Sequence, residues 1–274
     1  MMNPSNIRQP CVAGQFYPAN PKELSKMISV FAGKAVQKQN VLGCILPHAG
    51  YVYSGRVATQ TLARVNIKDT IILLGPNHSG NGATFSLMSC GYWQTPLGNV
   101  KINAELANLC LSGSRHLKAD IFAHLHEHSL EVELPILQYF RSNFKIVPIA
   151  IKTNDPDMLK EVAEELACII SENNLNRSVM FIASSDLTHY EPQSSAKKKD
   201  ALVIEAIRNL DEYQLADVIK EFDISMCGFA PVAVLIKATK LLGAKNGELI
   251  QYQTSGEASG DITSVVGYAG ITIY

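Results

Sequence analysis

Short apolar runs alternate with longer stretches of helical spacing along this chain of 274 residues. Val41 to Leu46 and Thr70 to Leu74 are apolar and bounded by Gly or Pro, which predicts strands buried on both faces. Lys145 to Ile151 and Val179 to Ala183 predict two more. Between the first two, Gly55 to Arg64 predicts a crossover helix. Asn20-Pro21 opens an earlier helix, because Asn caps well, Pro suits the first turn, and Leu24, Met27, Ile28 and Phe31 follow at helical spacing. Asn103 caps a predicted helix over Ala104 to Leu111, and helical apolar spacing returns from Leu130 to Phe140. Asp155-Pro156 starts another helix, with Leu159, Val162, Ala163, Leu166, Ile169 and Ile170 on one face.

Three further helices are predicted from about Ser195 to Asn209, Asp211 to Phe222 and Gly228 to Leu242. Leu249 to Gln253 and Ser264 to Ile273 read as closing strands. Thr84 to Val100, with Trp93, Pro96 and Gly98 between apolar patches, predicts an inserted hairpin. The opening segment through Gly14-Gln15-Phe16-Tyr17-Pro18 reads as an ordered arm. Interleaved strands and helices make the fold class α/β, with a mainly parallel central sheet flanked by helices. No repeat, low-complexity tract or linker interrupts it, so residues 1–274 are expected to form one domain.

Composition narrows the function classes. With 24 basic and 25 acidic residues, net charge −1, the chain has no electrostatic footprint for a phosphate backbone, and nucleic acid is not an expected partner. Lys197-Lys198-Lys199 falls within a predicted helix and reads as a solvated face. No apolar run approaches the roughly 18 residues of a membrane helix, and no basic segment precedes an apolar core at the start, so a cytoplasmic location away from membranes is expected. Cys11, Cys44, Cys90, Cys110, Cys168 and Cys227 are scattered without a CxxC pair, as expected of reduced and largely packed thiols.

The candidate chemistry lies just beyond the predicted strands. His48 follows one in Leu46-Pro47-His48-Ala49-Gly50-Tyr51, and His78 another in Gly75-Pro76-Asn77-His78-Ser79-Gly80. Ser184-Ser185-Asp186-Leu187-Thr188-His189-Tyr190 follows a third. In an open α/β sheet these positions converge on the carboxyl edge, where ligands bind. Neutral imidazole is a common ligand of iron, copper and zinc, and two histidines leave room for a third donor. Asp186 suits a ligand or an orienting carboxylate, and His189 a general acid or base. A Ser-His-Asp hydrolase is disfavoured because neighbours in sequence do not make a triad and no GxSxG elbow is present.

Cys227 in Ser225-Met226-Cys227-Gly228 stands where a helix begins, and peptide dipoles there are expected to lower its thiol pKa. In Ala123-His124-Leu125-His126-Glu127-His128, Glu127 and His128 are expected in the pocket wall and His124 and His126 on the polar surface. Tyr51, Asn77, Ser184 and Ser185, which flank the candidates in the same segments, are expected to line the pocket.

Taken with Gln9-Pro10, Ala13-Gly14-Gln15-Phe16-Tyr17-Pro18 and Glu127-His128-Ser129-Leu130-Glu131, these segments resemble the Memo family over nearly the whole length and in the same order. The resemblance implies the fold of the class III extradiol dioxygenases, which hold non-haem Fe(II) with two histidines and a carboxylate. It implies His48 and His78 as metal ligands, Cys227 at the carboxylate's position, and His189 as a base beside Asp186. Thiolate is softer than carboxylate and shifts preference towards copper, zinc or a differently tuned iron, so ring cleavage does not carry over; within the family resemblance iron or copper is favoured, with zinc as the further option. The resemblance leaves two functions open: a metal-dependent redox enzyme acting on an unidentified small molecule, or a non-catalytic module that grips a peptide or partner protein in the same crevice. It also implies a functional link to AMMECR-type and radical-SAM proteins.

Overall fold

The structure, a computed structural model, describes residues 7–274. Its elements begin with β1 (Ile7–Arg8), α1 (Pro21–Ala32), β2 (Gly43–Leu46), α2 (Gly55–Ala63) and β3 (Thr70–Pro76). Next come β4 (Phe85–Leu87), β5 (Tyr92–Thr95), β6 (Gly98–Ile102), α3 (Ala104–Gly113), β7 (Leu117–Ala119), α4 (Glu133–Phe140) and β8 (Lys145–Ile151). The chain continues through α5 (Pro156–Glu172), β9 (Val179–Ser184), β10 (His189–Glu191), α6 (Gln193–Arg208) and α7 (Glu212–Glu221). It closes with α8 (Phe229–Leu241), β11 (Gly247–Thr254), α9 (Gly256–Ser259) and β12 (Val265–Ile273).

The fold is α/β, with one large sheet flanked by helices. At its centre β6, β8, β3, β9 and β2 lie side by side and parallel. β3 and β9 are buried along their whole lengths, which is why their sequences run apolar without alternation. β12 pairs antiparallel with β2, β11 and β10. α8 lies over β3 and β9 and packs against α5, whose apolar stripe is buried as its spacing predicts. Asn20, Asn103 and Asp155 each cap their helix through side-chain oxygen, as anticipated. Among the described residues, no helix is long and apolar enough to cross a membrane.

Three local expectations change. The Thr84 to Val100 segment is not one hairpin: β5 and β6 form it around Pro96-Leu97, while β4 leaves to pair with β8 and β7. α4 begins at Glu133 rather than Leu130, because residues 129–132 turn inward to bury Ser129 and Glu131. His124 is not on the surface. It is fully buried, edge-on to Trp93, and its Nε2–H donates to the Ser86 carbonyl at 3.1 Å.

A buried neutral imidazole has a consequence for stability. Burial, reinforced by the Arg8 charge, lowers the His124 pKa to about 4. In the unfolded chain it titrates near 6.5. Above that value His124 is neutral in both states and adds no pH dependence. As pH falls from about 6.5 to about 4, only the unfolded state gains the proton, and stability falls by about 3 kcal/mol before levelling off. Thermal unfolding of the parent and of His124→Asn between pH 7 and 4 checks this: the parent's melting temperature should fall more steeply. Parallel slopes would place the acid lability elsewhere.

Candidate metal centre

β3, β9 and β2 are neighbours in that order, so the residues that follow them emerge side by side at one sheet edge. Register puts Leu46 opposite Ser184 and Leu74 opposite Ala183. His78 and His48 therefore meet, their ring centroids 5.2 Å apart, with the Asp186 carboxyl against the His48 backbone N–H. Cys227 arrives from the opposite direction, two residues before α8. Its sulfur lies 3.3 Å from His48 Nε2, and donor atoms of His48, His78 and Cys227 all lie within 4.8 Å of one another. Metal bonds of about 2.0–2.1 Å to nitrogen and about 2.3 Å to sulfur fit such separations.

Two glycines permit the approach. A Cβ on Gly228 would stand 2.4 Å from the Ser184 carbonyl oxygen, and one on Gly75 2.4 Å from Leu130 Cδ2. Without Gly228 the Cys227 loop could not reach the end of β9.

Proton counting orients His48. The Ser184 hydroxyl touches the Ser129 carbonyl at 2.8 Å, Glu133 Oε1 at 2.9 Å and His48 Nδ1 at 2.9 Å. It has one proton to give, and the carbonyl can only accept. Every contact holds a proton only if Ser184 donates to Ser129 while His48 Nδ1–H and a protonated Glu133 donate to Ser184. Burial does hold the Glu133 carboxyl well above its ordinary value. His48 Nε2 is then a bare lone pair beside the Cys227 sulfur. The same burial, with the neighbouring His128 and His78, keeps His48 from protonating.

Glu127 orients the second histidine. Its carboxylate accepts the backbone N–H and Nδ1–H of His78 and the Ser129 N–H. Burial opposes its ionisation, but these bonds and the His78 charge outweigh it and bring its pKa down to about 2. Carboxylate-to-histidine bonds of this kind fix ring orientation and raise ligand basicity. Glu127 also groups with His78 and His128 at ligand-like distances, but its oxygens are already engaged, so it serves the site as an orienting group. Glu127→Gln should weaken metal binding about 10–100-fold while leaving Cys227 in place. A competition titration giving the parent's affinity would remove this role.

His128 stacks on His78, with centroids 4.9 Å apart, and meets His48 and Phe16 edge-on. Asp186 accepts the His48 N–H at 2.8 Å, and burial raises its pKa to about 7. His189 donates Nδ1–H to the Ser225 carbonyl at 2.8 Å, which leaves Nε2 as its acceptor nitrogen. Asn77 shapes its own loop, binding the Asn81 carbonyl, Ser79 and the Gly80 N–H. Ser185 accepts from Gly228 N–H and donates to the Asp186 carbonyl. Tyr51 is a core residue whose hydroxyl is tied to the Val132 carbonyl at 2.6 Å.

The thiol runs against its helix-terminus expectation. Desolvation, with Asp186 close by, pushes the Cys227 thiol up, outweighing the helix dipole and the Asp186 N–H directed at its sulfur.

Sequence alone assigns no role to Arg8, Glu131 or Glu133, all fully buried. Their signal was two glutamates inside the apolar run Leu130 to Leu137, where a carboxyl needs a buried partner.

A family model described as Memo-like protein matches residues 8–272. The chain belongs to the Memo family. A MEMO1 family protein of Methanopyrus kandleri is 43% identical over 278 residues, covering 96% of this chain and 98% of its own. One from Methanosarcina barkeri is 44% identical over 269 residues, covering 97% and 100%. A solved structure of an uncharacterized protein from Escherichia coli K12 covers 83% of this Memo chain and 98% of its own, at TM-score 0.49 and 12% identity, too distant to bear on the chemistry.

Proposed function

We propose that this Memo protein binds one redox-active metal, iron or copper in preference to zinc, through His48, His78 and Cys227, and acts on a small ligand in the crevice above it. The observation that carries this reading is the meeting of three donor atoms within 4.8 Å, with both imidazoles already oriented by other side chains. Such preparation is characteristic of metal sites, where partners behind the ligands set their tautomers. A thiolate with two imidazoles suits copper, zinc or a tuned iron better than magnesium or calcium.

When bound, the metal would supply redox and Lewis-acid chemistry. The protein's own part begins with the Cys227 thiol, which must lose its proton to bind. His189, with an acceptor nitrogen at Nε2, is positioned to take or return a ligand proton. Asp186 anchors the His48 backbone and holds an ionisable carboxyl in the same crevice. Glu133 remains a neutral acid behind Ser184 and adds no charge to the site.

Protein purified without added metal, then analysed for metal content and titrated anaerobically with Fe(II) and Cu(I), tests the reading. About one metal per chain is expected, with affinity that rises with pH because binding releases a proton. A chain that takes up neither ion would overturn it and favour the non-catalytic module.

A further inference from the structure

The inward face of α6 holds a carboxyl where a core calls for an apolar side chain. Its buried positions are Ala196, Asp200, Val203, Ile204, Ala206 and Ile207, apolar but for Asp200. A buried carboxyl persists only where donors satisfy it. Asp200 Oδ1 accepts the Thr188 N–H at 3.0 Å and the Thr188 hydroxyl at 2.6 Å, and Oδ2 accepts the Tyr252 hydroxyl at 2.7 Å. β12 makes room for it, since a Cβ on Gly267 would stand 1.9 Å from Asp200 Oδ2. A buried acid and a glycine inside a strand both weaken packing, and such departures mark functional positions.

What Asp200 grips is the residue before His189. The Thr188 carbonyl accepts the Gly267 N–H at 2.9 Å, so Thr188 is held through both ends of its backbone. Two bonds then fix His189: its N–H donates to Ser225 Oγ and its Nδ1–H to the Ser225 carbonyl, each at 2.8 Å. Tyr190 follows in the left-handed region at φ 59°, 79% exposed, at the irregularity where β10 pairs with β12. Glu191 returns to α6, accepting from Ser195 Oγ and Lys199 Nζ at 2.6 Å each. A tyrosine keeps such a conformation only where its surroundings over-determine it, and α6 holds the chain on both sides of Tyr190. The turn also ties His189 to the candidate ligand. Ser225 lies two residues before Cys227, and Ser185 and Asp186 meet Gly228 N–H and the Cys227 sulfur at 3.1 and 3.3 Å.

We propose that Asp200 is a positioning residue: by holding Thr188 it sets the turn in which His189 keeps both bonds to Ser225, so that Nε2 and not Nδ1 is the bare nitrogen of the candidate base. This rests on reading His189 as the base of the proposed function, and it names what prepares that base from inside the fold. A neutral imidazole released from Ser225 can carry its proton on either nitrogen, so the tautomer reports the hold directly. Long-range proton–nitrogen NMR of the isotope-labelled full chain, at about pH 8 where ordinary imidazoles are neutral, reads it. His189 signals are assigned by their loss in His189→Gln. The parent should show His189 in one form, protonated at Nδ1. Asp200→Ala should lose that single form, with Nε2–H appearing, while Asp200→Asn, which keeps an acceptor oxygen for Thr188, should restore it. Thr188→Val removes one of the two bonds and should also show Nε2–H. His124, whose Nε2–H the Ser86 carbonyl accepts, should keep its form throughout and so report that the fold is intact. A folded Asp200→Ala with His189 still in the parent's form overturns the proposal, as does a parent that shows both forms. Should Asp200→Ala fail to fold, Thr188→Val decides, and an unchanged His189 there overturns it equally. Metal uptake by the same preparations is read separately: the tautomer change without uptake sinks the metal reading alone, and uptake without the tautomer change sinks this one alone.

Discussion

Cys227→Glu is expected to bind Fe(II) more tightly relative to Cu(I) than the parent chain does, and Cys227→Ala to bind both more weakly. The sulfur is the only soft donor in the group of three, 3.3 Å from His48 Nε2. Glutamate there makes a set of two histidines and one carboxylate, which suits non-haem Fe(II), whereas thiolate favours Cu(I). Alanine removes a ligand outright, so its cost should exceed the roughly 10–100-fold typical of losing an orienting partner. The substitutions also separate in pH dependence. The parent must deprotonate a thiol that burial has pushed up, while the glutamate ionises at lower pH, so the parent's affinity should climb more steeply through neutrality. Competition titrations on the three proteins decide the matter. One metal preference shared by all of them would mean that Cys227 is no ligand.

Much of this site was legible in the sequence because its parts follow buried parallel strands, and a parallel sheet brings such ends together. His48, His78 and Asp186 could be placed from the runs before them. Less legible were the relations at right angles to the chain. Nothing local to Thr84 to Val100 reveals that Phe85 to Leu87 leaves the hairpin to pair with β8, because that choice is made by tertiary contacts. His124 was expected on the polar surface with His126, yet it ends a 3-10 turn over Phe122–His124 and packs edge-on to Trp93. Cys227 was placed correctly at a helix start, but the expected lowering of its pKa failed because burial, invisible in the residue pattern, outweighed the dipole. The proton chain from Glu133 through Ser184 to His48 joins three segments far apart in sequence. No spacing rule could have found it.

Glu131→Ala should be the most damaging substitution outside the donor set, costing about 3–5 kcal/mol, because it leaves the fully buried Arg8 guanidinium without its counter-charge. Glu131 also accepts the Cys11 and Val12 N–H groups at 2.8 and 3.1 Å and the Tyr17 hydroxyl at 2.6 Å, so the whole opening arm depends on it. A loss of that size should lower the melting temperature by about 10 °C in a chain this long. Function is affected by the same route. Arg8 donates to the His124 and Glu127 carbonyls and lies over Trp93, and so holds in place the loop whose Glu127 orients His78. Glu131→Ala should therefore weaken metal binding as well as stability. Arg8→Met should cost less, since the remaining carboxylate keeps three donors and can persist as a hydrogen-bonded acceptor. The double replacement Arg8→Met with Glu131→Leu should recover part of the loss, because swapping a buried ion pair for apolar side chains removes the stranded charge. Thermal melts of all three and the parent test the asymmetry. If Arg8→Met proves as costly as Glu131→Ala, and the double variant is no better than either, then packing of the arm rather than the buried charge pair holds the Glu127 loop in place.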